Sequence, residues 1–391
     1  MLAGNPFGEN YGSMLSVWCL YKILQEMGKE VLVAPIIGNI PKAGSIVDEF
    51  VSSMYPNFDV YFKEPYYQNL RKLNEYADTF VLASEQYWKS LVSEDIDDGR
   101  RLLSFVDDNK HKVAIAVSQN EKWWGQTISD KEEKRFWLTR FDSISVREEE
   151  SKQEMIDLFG VTPEVLLDPV LILGKEQIVE RFRISSTENN LICAYLLEPN
   201  MLKDAVVKEI SVELCCAFDI VTYGENNVLR IRGSHYKVES KLVVQQWIEK
   251  MARSSFIVTD SYHGLCLALL FHKNFIVIPH ENRGTRKVYS LLDLVEIRQR
   301  VWDGEENMST FLARLSEIDW NNVDNILDNE RKKALDWIAN SISVKEAKDI
   351  TEFDIVRKML DQDKELMESD EKNFSNKYLD KIKQNIRRIF K

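Results

Sequence analysis

The chain has 391 residues, 44% of them hydrophobic and 10% aromatic, and carries a formal net charge of −12. That length exceeds what one hydrophobic core usually serves, so two domains are expected, and the composition is unlike that of a disordered chain. The acidic balance argues against a nucleic-acid partner, because phosphate-backbone binding needs a broad positive surface.

The five cysteines include adjacent Cys215 and Cys216 but no CxxC pair and no Cys/His ligand spacing. They read as reduced, mostly buried thiols of a cytoplasmic protein, and no metal is expected. No basic region followed by an apolar run opens the chain, so no signal peptide is visible. No window approaches the roughly 20 apolar residues of a membrane-spanning helix.

The elements alternate along the chain. Leu15, Trp18, Leu20, Ile23, Leu24 and Met27 have helical spacing between Gly12 and Gly28, and Val31–Ile37 reads as a strand. A helical stretch ends near Ala77, and the strand Thr79–Ala83, a helix near Arg100–Asp107 and the strand Lys112–Val117 follow. A helix ending near Arg140, the strand Ile144–Arg147, the helix Glu149–Phe159 and the strand Glu164–Leu167 complete this half. Before Asn10-Tyr11-Gly12 only Met1-Leu2-Ala3 can supply a first strand, so that strand is very short or the start has lost several residues. Gly174–Asn190 is polar and reads as an irregular linker. The second half repeats the alternation: strand Leu191–Leu197, helix Met201–Cys215, strand Phe218–Tyr223, helix Lys241–Ala252, strand Phe256–Val258, helix Leu265–Phe271 and strand Phe275–Pro279. Alternation of this kind predicts an α/β fold of two Rossmann-like domains, each a parallel sheet covered by helices, with a cleft between them. The expected domains are residues 1–175, residues 190–330 and a helical C-terminal extension, residues 331–391.

In that extension Ala334, Leu335, Trp337, Ile338 and Ile342 share a helix face. An acidic patch, Asp361 to Glu371, precedes a basic end, Lys381 to Lys391, where Leu379, Ile382, Ile386, Ile389 and Phe390 could share another. Peripheral membrane contact is one reading of that end. A terminal helix packed on a partner is the simpler one, because one short basic helix binds membranes weakly.

The strand Phe256–Val258 runs into Thr259-Asp260-Ser261-Tyr262-His263-Gly264, and Glu281-Asn282-Arg283-Gly284-Thr285-Arg286-Lys287 follows. A strand ending this way delivers polar side chains to the carboxyl edge of a sheet, where α/β folds bind ligands. Three cations close together on an acidic chain suggest a small anionic ligand.

Five blocks, in order, resemble the polysaccharide pyruvyl transferase family. They are Asn10-Tyr11-Gly12, the stretch from Phe80 to Trp88 containing Ser84-Glu85-Gln86, Ile144-Ser145-Val146-Arg147-Glu148, Leu167-Asp168-Pro169, and Thr259 to Gly264. The resemblance covers about residues 4 to 340. It implies a GT-B-like pair of Rossmann-like domains. It also implies transfer of a pyruvyl group from phosphoenolpyruvate to two hydroxyls of a sugar, forming a ketal on a capsule, exopolysaccharide or cell-wall glycan. Phosphoenolpyruvate is then the donor substrate, with no further cofactor. The acceptor is a carbohydrate, lipid-linked or free, and the enzyme is expected in the cytoplasm or at the inner face of the membrane; homo-oligomerisation is left open.

The resemblance points to Arg147, His263 and Arg283 as the phosphoenolpyruvate-binding set. An arginine fork suits both a carboxylate and a phosphate. Arg286 and Lys287 are spare cations at the start of a helix spanning Val288–Leu292, where backbone N–H groups could also meet phosphate. His263 could serve as general acid or hold the phosphate as an imidazolium. Asp260 could orient that imidazole or take the sugar proton, and Glu85 is a second acid/base candidate. Ser84, Ser261, Asn10 and Gly12 complete the expected substrate-binding set, the last two by shaping the first helix start.

Blander readings stand beside these. Arg147 followed by Glu148, Glu149 and Glu150 also suits a salt-bridged helix start. Asp168-Pro169 reads as a strand-end turn rather than a participant in chemistry. Trp123-Trp124 and Tyr66-Tyr67 could stack on sugars, but packing explains them as well. Ala83 and Glu85 stand where the family usually has glycine and aspartate, and the segment from Ser118 to Gly125 replaces a small-residue stretch. These departures fall on the expected acceptor side, so retained donor binding with an unusual acceptor is expected. Two rivals are a GT-B nucleotide-sugar glycosyltransferase and a non-catalytic member of a glycan-assembly complex. The first would need a ribose-binding acid after a Gly-rich turn, which is not seen.

Overall fold

The computed structural model describes residues 1–4, 10–36, 44–55, 70–84, 87–88, 98–119, 134–185, 187–222, 238–239, 242–279 and 285–343. The first half builds a six-stranded sheet from β1 (Leu2–Gly4), β2 (Val33–Pro35), β3 (Thr79–Leu82), β4 (His111–Val117), β5 (Ser143–Val146) and β6 (Glu164–Val165). All pairs are parallel, in the order β2-β1-β3-β4-β5-β6. The second half builds a five-stranded parallel sheet from β7 (Leu191–Tyr195), β8 (Ala217–Val221), β9 (Val238–Glu239), β10 (Phe256–Thr259) and β11 (Asn274–Val277), in the order β11-β10-β7-β8-β9. The inner strands are apolar runs because helices cover both faces, and every residue of β10 is buried. The winding direction reverses between β1 and β3 in one sheet and between β7 and β10 in the other. Crevices open at the carboxyl ends of strands at such points.

The helices are α1 (Tyr11–Glu26), α2 (Ile46–Met54), α3 (Asp98–Arg101), α4 (Glu149–Phe159), α5 (Pro169–Leu173), α6 (Lys175–Phe182), α7 (Met201–Glu213), α8 (Val244–Arg253), α9 (Tyr262–Leu270), α10 (Thr285–Leu294), α11 (Met308–Arg314) and α12 (Trp320–Ser341). Two of them bring the halves together. Helix α9 is buried along its whole length, as expected of a helix that is apolar all round. It packs against α8 and α10 of its own half and against α5 of the other. Helix α1, buried on most of its surface, packs on α5 and reaches α8. One apolar core therefore runs through both sheets, and a smaller cluster lies around β7, α7 and α11.

Two expected boundaries differ. The supposed irregular linker contains α6, whose Ile178 and Phe182 are buried, the latter edge-on to Trp18 at 5.2 Å between ring centroids. Two apolar anchors in eight residues are too few for a clear helical period. The expected boundary at residue 331 falls inside α12, which returns from the second half to the first. There Arg331 Nε donates to the Leu171 carbonyl at 3.0 Å, and Ala334 and Ile338 are buried. The acidic patch and basic end of the tail lie outside the described residues. Among the described residues no helix is long and apolar enough to cross a membrane.

Candidate functional site

The site is built around Asp168. The chain leaves β6 through Leu166 and Leu167, and Asp168 then caps α5, with Pro169 in the first turn. Asp168 Oδ1 accepts from the Val170 amide at 2.9 Å, and the Ser16 hydroxyl of α1 lies 3.2 Å away. That hydroxyl is also 3.3 Å from the Ser84 carbonyl, and its one proton can serve only one acceptor at a time. Asp168 Oδ2 accepts from Arg147 Nη1 at 2.5 Å and lies 3.5 Å from His263 Nε2. Arg147 follows β5 in the first half, whereas His263 stands in the first turn of α9 in the second.

All three groups are buried: Asp168 is 0% exposed, Arg147 5% and His263 6%. A buried carboxylate is costly unless its charge and lone pairs are met. Burial pushes the Asp168 carboxyl up, but His263, Arg147 and the Val170 N–H together hold it well below the usual carboxylate range. The approach of His263 is long for a hydrogen bond, and among the described residues Nε2 has no hydrogen-bond partner. At 3.5 Å it is a long, weak contact in which a hydrogen on Nε2 would point to the carboxylate.

His263 also packs on the first turn of α1. A Cβ placed on Gly12 would lie 2.3 Å from His263 Nδ1 and 2.4 Å from Cγ. Only glycine lets the imidazole approach that closely. Asn10 caps the helix, its Oδ1 accepting from the Gly12 amide at 3.0 Å. Between them, the Tyr11 hydroxyl accepts from the Leu242 amide at 3.1 Å and reaches the Thr222 carbonyl at 3.5 Å, both in the second half. Its ring lies 5.7 Å from that of Trp247. The opening Asn-Tyr-Gly is thus a contact between the halves as well as a helix start.

Tyr262 completes the surroundings of Arg147. Its ring has the Arg147 guanidinium 5.2 Å from its centroid and the Lys287 ammonium 5.5 Å away, both within cation–π range. Glu148 is buried beside Arg147 and accepts from the Ser118 and Ser151 hydroxyls. Burial pushes its carboxyl up, against the pull of Arg147 and of Ser118.

Residues 10–282 match the polysaccharide pyruvyl transferase family, a span well over half of the chain. The chain belongs to that family. Among solved structures it is similar to a UDP-GlcNAc 2-epimerase from Neisseria meningitidis bound to UDP-GlcNAc, with a TM-score of 0.52 and 10% identity over 87% of this chain and 98% of the other. It is also similar to a UDP-glucosyltransferase from Polygonum tinctorium, with a TM-score of 0.52 and 9% identity over 88% of this chain and 98% of the other. At such identity the likeness speaks for the fold, a GT-B-like pairing of two α/β halves. No match is found among curated proteins.

Within this pyruvyl transferase fold, Arg147 and His263 meet at Asp168, Gly12 lies against His263 with Asn10 capping its turn, and the Ser84 carbonyl shares the Ser16 hydroxyl with Asp168. Asp260 does not face the imidazole. Its Oδ1 accepts from the Leu197 amide at 2.6 Å, and its Oδ2 from the Glu198 amide at 3.1 Å and from Lys203 Nζ at 2.5 Å. It pins the turn after β7 across the switch point, and the carboxylate beside His263 is Asp168. The Ser261 hydroxyl caps α9 at the Gly264 amide, and the Ser84 hydroxyl donates to the Ala116 carbonyl at 2.8 Å. Helix α10 starts at Thr285, so Arg286 and Lys287 belong to its first turn, earlier than expected. Arg286 spans the halves, its Nη1 2.6 Å from Glu154 of α4. Glu85 and Arg283 lie outside the described residues. No group of three His, Cys, Asp or Glu suited to a metal ion occurs among the described residues.

The pattern reads Asp168 as a strand-end turn and gives Tyr262 no role of its own, yet both prove to be neighbours of Arg147. An Asp-Pro after a strand does announce a helix cap. Nothing local announces that its second oxygen meets a guanidinium 21 residues earlier and an imidazole in the other half.

Proposed function

We propose that this family member transfers a pyruvyl group from phosphoenolpyruvate to two hydroxyls of a sugar, at the junction where His263 of one half meets Arg147 and Asp168 of the other. The observation that carries this reading is that junction: a buried arginine and a buried histidine, brought together against the first turn of a long helix. Phosphoenolpyruvate needs two cationic holds, one for carboxylate and one for phosphate. Arg147 is suited to the carboxylate through its planar fork. His263 is suited to the phosphate or to the proton that the reaction requires.

The reaction moves a proton onto the methylene carbon, which becomes a methyl group and leaves positive charge at the adjoining carbon. One sugar hydroxyl adds there and gives up its proton. The bond from that carbon to the phosphate oxygen then breaks, and the second hydroxyl takes its place. Of the two hydroxyl protons, one ends on the methyl group and one on phosphate, so atoms and charge balance. The acceptor in this reading is a carbohydrate of a bacterial surface polysaccharide or its precursor.

A nucleotide-sugar donor is disfavoured by Asp260. In open α/β sheets a ligand's phosphates take amide donors at the switch point. Here the Leu197 and Glu198 amides already serve Asp260 and are not available to a diphosphate. The test is thermal unfolding with and without phosphoenolpyruvate. Saturation at about one hundred times the dissociation constant should add roughly 2.7 kcal/mol to stability. A shift with phosphoenolpyruvate but not with UDP-sugars, lost in Arg147→Ala, supports the reading. A shift only with a nucleotide-sugar would make the protein a glycosyltransferase, and no shift with either would favour a non-catalytic role.

A further inference from the structure

Asp168 has more partners than a helix cap requires. Capping α5 takes one oxygen, through Val170. The other oxygen binds Arg147 and faces His263, which arrives from the opposite half. We propose that Asp168 is the positioning residue of this site. It fixes the guanidinium of Arg147 and holds His263 with its proton on Nε2, leaving Nδ1 as the nitrogen that exchanges a proton with a ligand. The part concerning a ligand rests on the function proposed above; the choice of tautomer does not.

The argument is one of donors and acceptors. An ionised carboxylate only accepts, so the ring nitrogen turned toward it must carry hydrogen. Asp168 is ionised, because His263, Arg147 and the Val170 N–H together outweigh its burial. Nδ1 faces Gly12, whose own N–H is already given to Asn10 Oδ1. That amide therefore makes no claim on Nδ1. Asp260, three residues before the histidine, is committed to Leu197, Glu198 and Lys203, so it cannot perform this task. Because Asp168 and His263 belong to different halves, the imidazole is oriented only when the halves are together.

Asparagine cannot replace Asp168 here. Val170 N–H and Arg147 Nη1 donate to different oxygens of the carboxylate. An amide must therefore point its NH2 at one of these donors, or break one contact. With its NH2 on the Arg147 side it would donate to His263 Nε2 and drive the ring proton to Nδ1.

The tautomer is read from long-range nitrogen–proton spectra of protein labelled with 15N-histidine. The chain has 5 histidines, so His263→Gln assigns the signal. In wild type the neutral ring should carry its proton on Nε2. In folded Asp168→Asn the proton should move to Nδ1, and phosphoenolpyruvate affinity should fall roughly tenfold or more. A wild-type ring protonated on Nδ1, or an unchanged tautomer in the folded variant, overturns the proposal. If Asp168→Asn does not fold, the wild-type spectrum decides by itself. If phosphoenolpyruvate fails to shift the wild-type melting temperature, the donor assignment falls, and the tautomer is still judged on the ligand-free spectra.

Discussion

Replacing Gly12 with alanine sets two effects of opposite sign against each other. Gly12 lies in the first turn of α1, where alanine alone would favour the helix by up to about 1 kcal/mol. Its new methyl, however, would sit 2.3 Å from His263 Nδ1, 2.4 Å from Cγ and 2.6 Å from Cβ. Ordinary carbon contacts begin near 3.5 Å, so the ring or the helix must move by roughly 1 Å. The imidazole has little freedom to do so, being 6% exposed and turned toward Asp168. Overpacking of this kind costs about 1–3 kcal/mol, so Gly12→Ala should destabilise the protein. In a His263→Gly background, which removes the Cβ as well as the ring, Gly12→Ala should cost nothing, or stabilise by up to about 1 kcal/mol, because the methyl then has room. Urea unfolding of wild type, both single variants and the double variant gives the coupling energy, expected at about 1–3 kcal/mol. If Gly12→Ala has the same effect in both backgrounds, to within about 0.5 kcal/mol, the contact between the halves is not as described, and the site argument fails with it.

Asp168→Asn should cost about 3–5 kcal/mol, since it breaks a buried ion pair and leaves Arg147 without its counter-charge. The folded Asp168 carboxyl titrates below its unfolded value of about 3.9, so its stabilisation is complete above that pH and is lost as the pH falls. The stability gap between wild type and Asp168→Asn should therefore narrow by about 1 kcal/mol between pH 6 and pH 3; a gap that widens contradicts the assigned direction. Gly264→Ala would put a methyl 2.3 Å from Thr259 Oγ1 and 3.1 Å from Tyr195, displacing the hydroxyl that donates to the Tyr195 carbonyl at 2.7 Å. A lowered melting temperature is expected, and a raised one would show that the close approach is wrong. The Arg286–Glu154 pair is about one-third exposed on each side, 31% and 28%, and such pairs contribute about 0.2–1 kcal/mol. Arg286→Ala should thus shift the urea midpoint far less than Arg147→Ala, which strands buried Asp168; equal shifts would count against this ordering.

Much of the architecture was legible in the sequence because it rests on local chemistry. Continuous apolar runs such as Ile257-Val258, alternating with helical periods such as Leu15 to Leu24, report strands and helices covered on both sides. The caps Asn10, Asp168 and Ser261 are signals of the same local kind. Helix α6 was less legible, because two buried side chains make no period, and α12 was cut at residue 331 because its buried positions serve two different neighbours.

The sequence by itself determined two parallel-sheet halves, the family blocks, and the presence of an arginine and a histidine at strand ends. Only the tertiary structure decided which carboxylate serves that histidine. The nearby Asp260 was the natural choice from spacing, yet its oxygens close the turn after β7. Asp168, 95 positions earlier by the numbering of the two residues, occupies the place instead. Helix packing across the core sets α5 against α9 and so brings an oxygen to an imidazole. Sequence spacing reports neighbours along one element, whereas which charge meets which across two halves follows from how the helices pack.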